Sequence, residues 1–247
     1  MKNKEYLNIY WAPLSDQENN DWSLMYSEPV TLFSYMSKNK IESKADKFFS
    51  CPAVKGLTQN TYIFTNTIES EYLYDFSDGK KIITPVSSKY LAYRNQRDAS
   101  IKNGPIIMFN MSYVFFSDEP LLATFSSPYF SNCEYMKSGS FIPGEFDIGR
   151  WFRPYNCEMQ LWSNSGSIKF NHDEPLLYVK FNTDKKIKMN RFDLNDKLKK
   201  IFTTNISTQQ WYDTKKSLST YYYLFNRAKM RDVILTEIKK NLVLEQL

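Results

Sequence analysis

The sequence predicts a mainly β fold: an antiparallel sandwich or partly closed barrel, with an irregular N-terminal arm and C-terminal helices. Three observations carry that expectation. Between residues 48 and 184, short runs rich in Val, Ile, Tyr, Phe and Thr are punctuated by turn formers. Beyond Asp184 the apolar spacing changes to steps of three and four. Before residue 48 no period is sustained. The 247 residues are 42% hydrophobic and 17% aromatic, enough for the core of one ordinary-to-large domain and too aromatic for a mainly disordered chain.

In chain order, residues 1–47 read as an arm. Trp11-Ala12-Pro13 and Trp22-Ser23-Leu24 set large rings beside turn formers, and the polar run Asp16 to Asp21 lies between them. A short helix is expected after Pro29, where Leu32, Phe33, Tyr35 and Met36 form one stripe. Residues 48–184 form the β core. Its strands are expected at Thr61–Thr65, around Tyr72, Tyr74 and Phe76, and at Lys81–Thr84 after the hairpin dipeptide Asp78-Gly79. The apolar run Ile106 to Phe116 makes one long buried strand or two short ones. Glu158–Trp162 and Leu177–Phe181 have period two. Asp118-Glu119-Pro120-Leu121-Leu122 recurs as Asp173-Glu174-Pro175-Leu176-Leu177, and each copy leads into a β-like run.

Residues 185–247 read as a basic helical extension docked on the core as part of one compact unit. Leu194, Leu198, Ile201 and Phe202 define one helix, with Asp193 or Asn195 to cap it. A single long helix is expected over 217–243, its apolar side running through Leu218, Tyr221, Tyr222, Phe225, Ala228, Leu235, Ile238 and Leu242.

Composition excludes several classes of chemistry. One histidine, His172, and the widely spaced Cys51, Cys133 and Cys157 supply no close ligand pairs for structural zinc and no disulfide framework. No apolar run approaches the length of a membrane span, and the N-terminal residues lack the apolar stretch of a secretory signal. No cofactor fingerprint is present, so none is expected. The net charge of +5 is asymmetric: residues 181–247 hold 14 Lys and Arg against 7 Asp and Glu. That excess suits either solvated helix faces or contact with nucleic acid.

The candidate binding residues are Arg150, Trp151, Arg153, Glu158, Gln160 and Trp162. Arg150 and Arg153 sit in Phe141–Pro154 (FIPGEFDIGRWFRP), where glycines and prolines restrict the backbone and rings anchor it. Braced that way, two guanidiniums can meet a carboxylate or phosphate. Glu158, Gln160 and Trp162 follow on one face of a strand, a grouping suited to a pocket wall. The competing structural reading makes the rings core residues and pairs the arginines with Asp147 or Glu145. Tyr90, Tyr93 and Arg97 share a face only on a helix, where they would suit base stacking. His172 beside Asp173 and Glu174 has an acid–base pattern, or is an exposed turn residue.

Phe48-Phe49-Ser50-Cys51-Pro52-Ala53, Tyr129-Phe130-Ser131-Asn132 and Phe146 to Pro154 together resemble a poorly characterised protein family of tailed phages of marine bacteria. The resemblance covers most of the chain and brings no activity with it. It implies a viral protein, a virion component or a host-interaction factor, located in the virion or the host cytoplasm. The expected role is therefore a non-enzymatic binding or assembly protein making protein–protein contacts or self-associating, with no membrane partner. The alternatives are an enzyme on a nucleotide-sugar or glycan, with Glu158 or Asp147 as acid/base, and a nucleic-acid-associated protein using residues 185–240.

Overall fold

A computed structural model describes residues 6–13, 27–38, 50–67, 69–77, 82–84, 91–93, 104–211 and 217–243. The chain is organised around β7 (Ile106–Ser117), twelve residues long. Its odd-numbered Ile107, Phe109, Tyr113 and Phe115 enter one core, and its even-numbered Val114 and Phe116 enter another. A strand buried on both faces needs apolar residues on both, which is why Ile106 to Phe116 reads as an unbroken hydrophobic run. One edge of β7 pairs with β11 (Pro154–Leu161). Its other edge is shared by β6 (Leu91–Tyr93) and β1 (Tyr6–Pro13). β9 (Gly139–Phe141) and β14 (Lys186–Arg191) complete this six-stranded sheet at its two ends.

A second, five-stranded sheet has the order β10 (Gly144–Asp147), β8 (Leu122–Ser126), β13 (Pro175–Phe181), β3 (Thr61–Thr65) and β2 (Val30–Thr31). A three-stranded sheet joins β12 (Ser165–Phe170), β4 (Ser70–Asp75) and β5 (Ile82–Thr84). The sheets stay open and do not close into a barrel. Both smaller sheets share one aromatic core with the large one. There Phe64 meets Tyr113 edge-on at 4.6 Å, Phe109 meets Phe141 at 5.5 Å and Phe115 meets Phe181 at 5.9 Å. On the outer face of the five-stranded sheet, α1 (Leu32–Lys38) lays Leu32, Tyr35 and Met36 over Ile63 and Tyr178. The repeated Asp-Glu-Pro-Leu-Leu segments lead into β8 and β13, which pair antiparallel with each other.

Three expectations change. Residues 6–13, expected to lie in an irregular arm, form β1 inside the large sheet. Leu7, Ile9 and Trp11 face the aromatic core while Tyr10 and Ala12 face the helices, so both faces are apolar and no alternation marks the strand. The other residues of the expected arm at 1–5, 14–26 and 39–47 lie outside the described residues. The basic extension also opens with a strand: β14 runs parallel to β1, from Tyr6 opposite Lys186 to Trp11 opposite Arg191.

The short α2 (Pro52–Thr58) precedes β3, and the outer face of the large sheet is covered by α3 (Asp196–Trp211), α4 (Leu218–Arg227) and α5 (Met230–Lys240). Asn195 caps α3, its Oδ1 accepting the Leu198 N–H at 2.9 Å. The long helix expected over 217–243 is two helices, broken at Lys229 with φ 50° and ψ 32°. The break follows from phase. Phe225 and Ile234 are both buried against the sheet, yet nine residues at ~100° each leave them about 180° apart on a continuous helix. The left-handed residue turns the chain so that both point inward, whereas Ala228 and Asp232, which would have continued the stripe, are exposed.

Candidate functional site

Residues 148–153 connect β10 to β11 and are held from two sides. The buried Asp147 anchors them: its Oδ1 accepts the backbone N–H groups of Leu121 at 3.1 Å and Gly149 at 3.0 Å. The Asp147 N–H donates to the Tyr222 hydroxyl of α4 at 2.9 Å. Burial pushes that phenol above its ordinary range, partly offset by the hydrogen bond from Asp147 and the charges of Arg153 and Arg150. Arg231 of α5 donates its Nε–H to the Gly149 carbonyl at 2.9 Å, and Asn205 of α3 donates Nδ2–H to the Phe152 carbonyl at 2.9 Å. Phe152 is fully buried, edge-on to Phe116 at 5.5 Å and Phe202 at 6.3 Å. The loop is therefore clamped between the five-stranded sheet and the C-terminal helices, and its backbone is pre-organised.

The two arginines are placed differently. Arg150 lies with its Nε 3.3 Å from Asp147 Oδ2, and its side chain is 37% exposed. The pair uses the Nε side of the guanidinium, which leaves the outer fork of two Nη groups as the edge that matches a second carboxylate. Arg153 stacks its guanidinium over Phe146 at 4.8 Å and Trp151 at 5.4 Å, a double cation–π contact. Trp151 itself is 7% exposed and meets Tyr221 at 5.0 Å; its buried indole N–H has no hydrogen-bond acceptor among the described residues.

Beside Arg150 the loop and helices form a half-open cavity of about 180 Å³, lined by Arg150, Trp151, Asn205, Tyr221, Leu224, Phe225 and Met230. Its walls are mainly apolar, with polar groups from Arg150, Asn205 and Tyr221. Sequence reasoning located Arg150 and Trp151 but not the helical wall. Those residues lie 54 to 80 positions later in the chain, and nothing local signals the approach.

Glu158, Gln160 and Trp162 do not join this cavity. As expected they share a face, since Cys157, Met159 and Leu161 all point into the aromatic core. Glu158 stands opposite Met108 and Gln160 opposite Ile106, at the far end of β7 from the helix-covered part. At ~3.3 Å per residue, Gln160 lies roughly 20 Å along the strand from Pro154. Trp162 is 55% exposed and donates its indole N–H to the Met136 carbonyl at 3.2 Å. Asp147 has both carboxylate oxygens engaged beside Arg150, and Glu158 is remote. Among the described residues no convergent pair of carboxylates stands beside the arginines for acid–base work.

Of the other candidates, His172 lies exposed in a turn, its Nδ1 3.2 Å from Asp173 Oδ2. Cys133 donates to the Pro175 carbonyl, and burial, with the Glu174 charge second, pushes its thiol up to about 12. Burial also raises the Cys157 thiol, so both are protonated near neutral pH and poor nucleophiles. Tyr93 lies on β6; Tyr90 and Arg97 are outside the described residues. In the basic segment Lys185 pairs with Glu119 at 2.7 Å, Arg191 with Glu28 at 3.1 Å and Lys197 with Glu237 at 2.9 Å, so part of the positive charge is internally matched. Among the described residues no helix is long and apolar enough to cross a membrane, and no group of three His, Cys, Asp or Glu is placed to hold a metal.

Comparison of the chain with known protein families, with curated proteins and with solved structures finds no match.

Proposed function

We propose that this chain is a non-enzymatic binding or assembly protein that makes protein–protein contacts through the Arg150–Arg153 loop. The observation that carries the reading is Arg150, part-exposed at an apolar cavity on a loop clamped from both sides. A rigid cation beside an apolar recess suits an acidic group borne by an apolar neighbour, and pre-organisation limits the entropy lost on binding. The engaged Asp147 and the distance to Glu158 favour binding over acid–base catalysis. On the resemblance read from the sequence, the setting is a phage virion or the host cytoplasm.

The test is cross-linking of the chain to its neighbours in the cells that produce it, comparing wild type with R150A/R153A. Both proteins are first matched by circular dichroism and thermal melting. Cross-links should map to residues 145–153, and the complex should weaken at least about tenfold in the double variant, the scale expected for a lost charge-assisted hydrogen bond. Equal affinity in a folded double variant rejects the site.

A further inference from the structure

We infer that the cavity beside Arg150 receives the C-terminal residue of a partner chain, with its apolar side chain inside and its α-carboxylate on the Arg150 guanidinium. The inference rests on the binding reading above and names what is bound.

Size is the first argument. A cavity of about 180 Å³ is close to the ~150 Å³ apolar cavity that accepts benzene, so it holds one side chain of the size of Leu or Phe and little more. Chemistry is the second. Tyr221, Leu224, Phe225 and Met230 supply apolar walls, and Arg150 supplies a cation whose outer fork matches a carboxylate bidentately. Asn205 is the third. Its Nδ2 donates to the Phe152 carbonyl, which fixes the amide of this cavity-lining residue and leaves Oδ1 as its acceptor. An apolar pocket, a carboxylate-binding cation and an acceptor for one peptide N–H are together the complement of a C-terminal apolar residue, in which side chain, carboxylate and N–H diverge from one Cα. A fatty acid would use only the first two, and an internal Asp or Glu has no apolar side chain on the same Cα.

The experiment titrates ¹⁵N-labelled full-length chain with pentapeptides Gly-Ser-Gly-Ser-Phe and Gly-Ser-Gly-Ser-Leu, each as free acid and as C-terminal amide. Gly-Ser-Gly-Ser-Gly and free phenylacetate serve as controls. The reporter is the Trp151 indole N–H resonance, assigned with W151F, because Trp151 lines the cavity and its indole N–H makes no hydrogen bond among the described residues. At least one free-acid peptide should move it saturably, while its amide and the glycine-ended peptide bind about tenfold or more weakly. R150Q should reduce binding of the acid to that of the amide, and L224W, which fills the cavity, should abolish both. No saturable shift, equal binding of acid and amide, or phenylacetate binding as tightly as the peptide overturns the inference. A native complex lost in R150A/R153A without any peptide response sinks this inference and leaves the binding role standing. A native complex retained in that variant sinks both.

Discussion

Gly149 has no side chain because there is no room for one: a methyl group there would overlap the Glu119 carbonyl and the Pro120 Cα. Gly149→Ala should therefore push the loop off the 118–120 turn and cost about 1–3 kcal/mol in urea denaturation, as overpacking does elsewhere. An unchanged midpoint would show that this contact yields without strain. A different residue-level effect belongs to Glu237, whose side chain is 10% exposed under Lys197. Its carboxylate accepts from Lys197 Nζ at 2.9 Å and Asn195 Nδ2 at 2.7 Å, with Lys240 Nζ 3.8 Å away. The bonds from Lys197 and then Asn195 hold it below its ordinary carboxylate range. A carboxyl whose folded value is depressed stabilises the protein above its unfolded value and loses that contribution as pH falls through the folded one. E237Q should accordingly be less stable than wild type at neutral pH, with the gap closing below about pH 4. Urea melts at several pH values read this directly, and a gap constant with pH would contradict it.

At the scale of elements, the α4–α5 junction is the place where local preference and packing disagree. Lys229 sits in the left-handed region, at a cost of about 1–2 kcal/mol for an L-residue. Glycine removes that cost but loses about 0.5–1 kcal/mol in chain entropy. K229G should thus raise stability by roughly half a kcal/mol. K229P should lower it by about 3 kcal/mol or more, because proline cannot adopt φ 50° and removes the N–H that bonds the Asn226 carbonyl at 3.0 Å. Differential scanning calorimetry of the pair distinguishes a strained hinge from a relaxed one. If both variants melt with wild type, the junction is not where the phase between Phe225 and Ile234 is set.

For the whole molecule, the question is whether the helices are an appendage or part of the fold. Tyr10, Val114, Phe116, Phe152 and Phe192 fill the outer face of the large sheet and are buried together with Leu198, Phe225, Ile234 and Ile238. A chain ending at Asp193 would expose those rings as one apolar patch. It should bind the dye ANS, aggregate and lose cooperative unfolding. A soluble, dye-silent 1–193 chain with a sharp melt would show that the β layers stand alone. The parallel pairing of β1 with β14 points the same way, since it ties residues 180 positions apart into neighbouring strands. Divisions at residues 47 and 184 describe composition; the first and last segments meet in one sheet.

The linear chain determined what local chemistry can determine. Period two at Glu158–Trp162 told which residues enter the core; β-formers between turn formers marked strands; Asp193 or Asn195 marked a helix start, and Asn195 is the cap; the proline segments marked two strand beginnings. The pattern FDIGRWFRP also put rings within reach of an arginine, and Arg153 stacks on Phe146 and Trp151. Tertiary structure alone decided that β1 is an interior strand, that β14 is its parallel partner, that the last helix breaks, and that Glu158 is far from Arg150. It also built the cavity, whose second wall comes from helices late in the chain. The physical reason is common to all of these. A period records which faces of a segment are buried, but not what buries them, and a segment buried on both faces, such as Tyr6–Pro13, leaves no period to read.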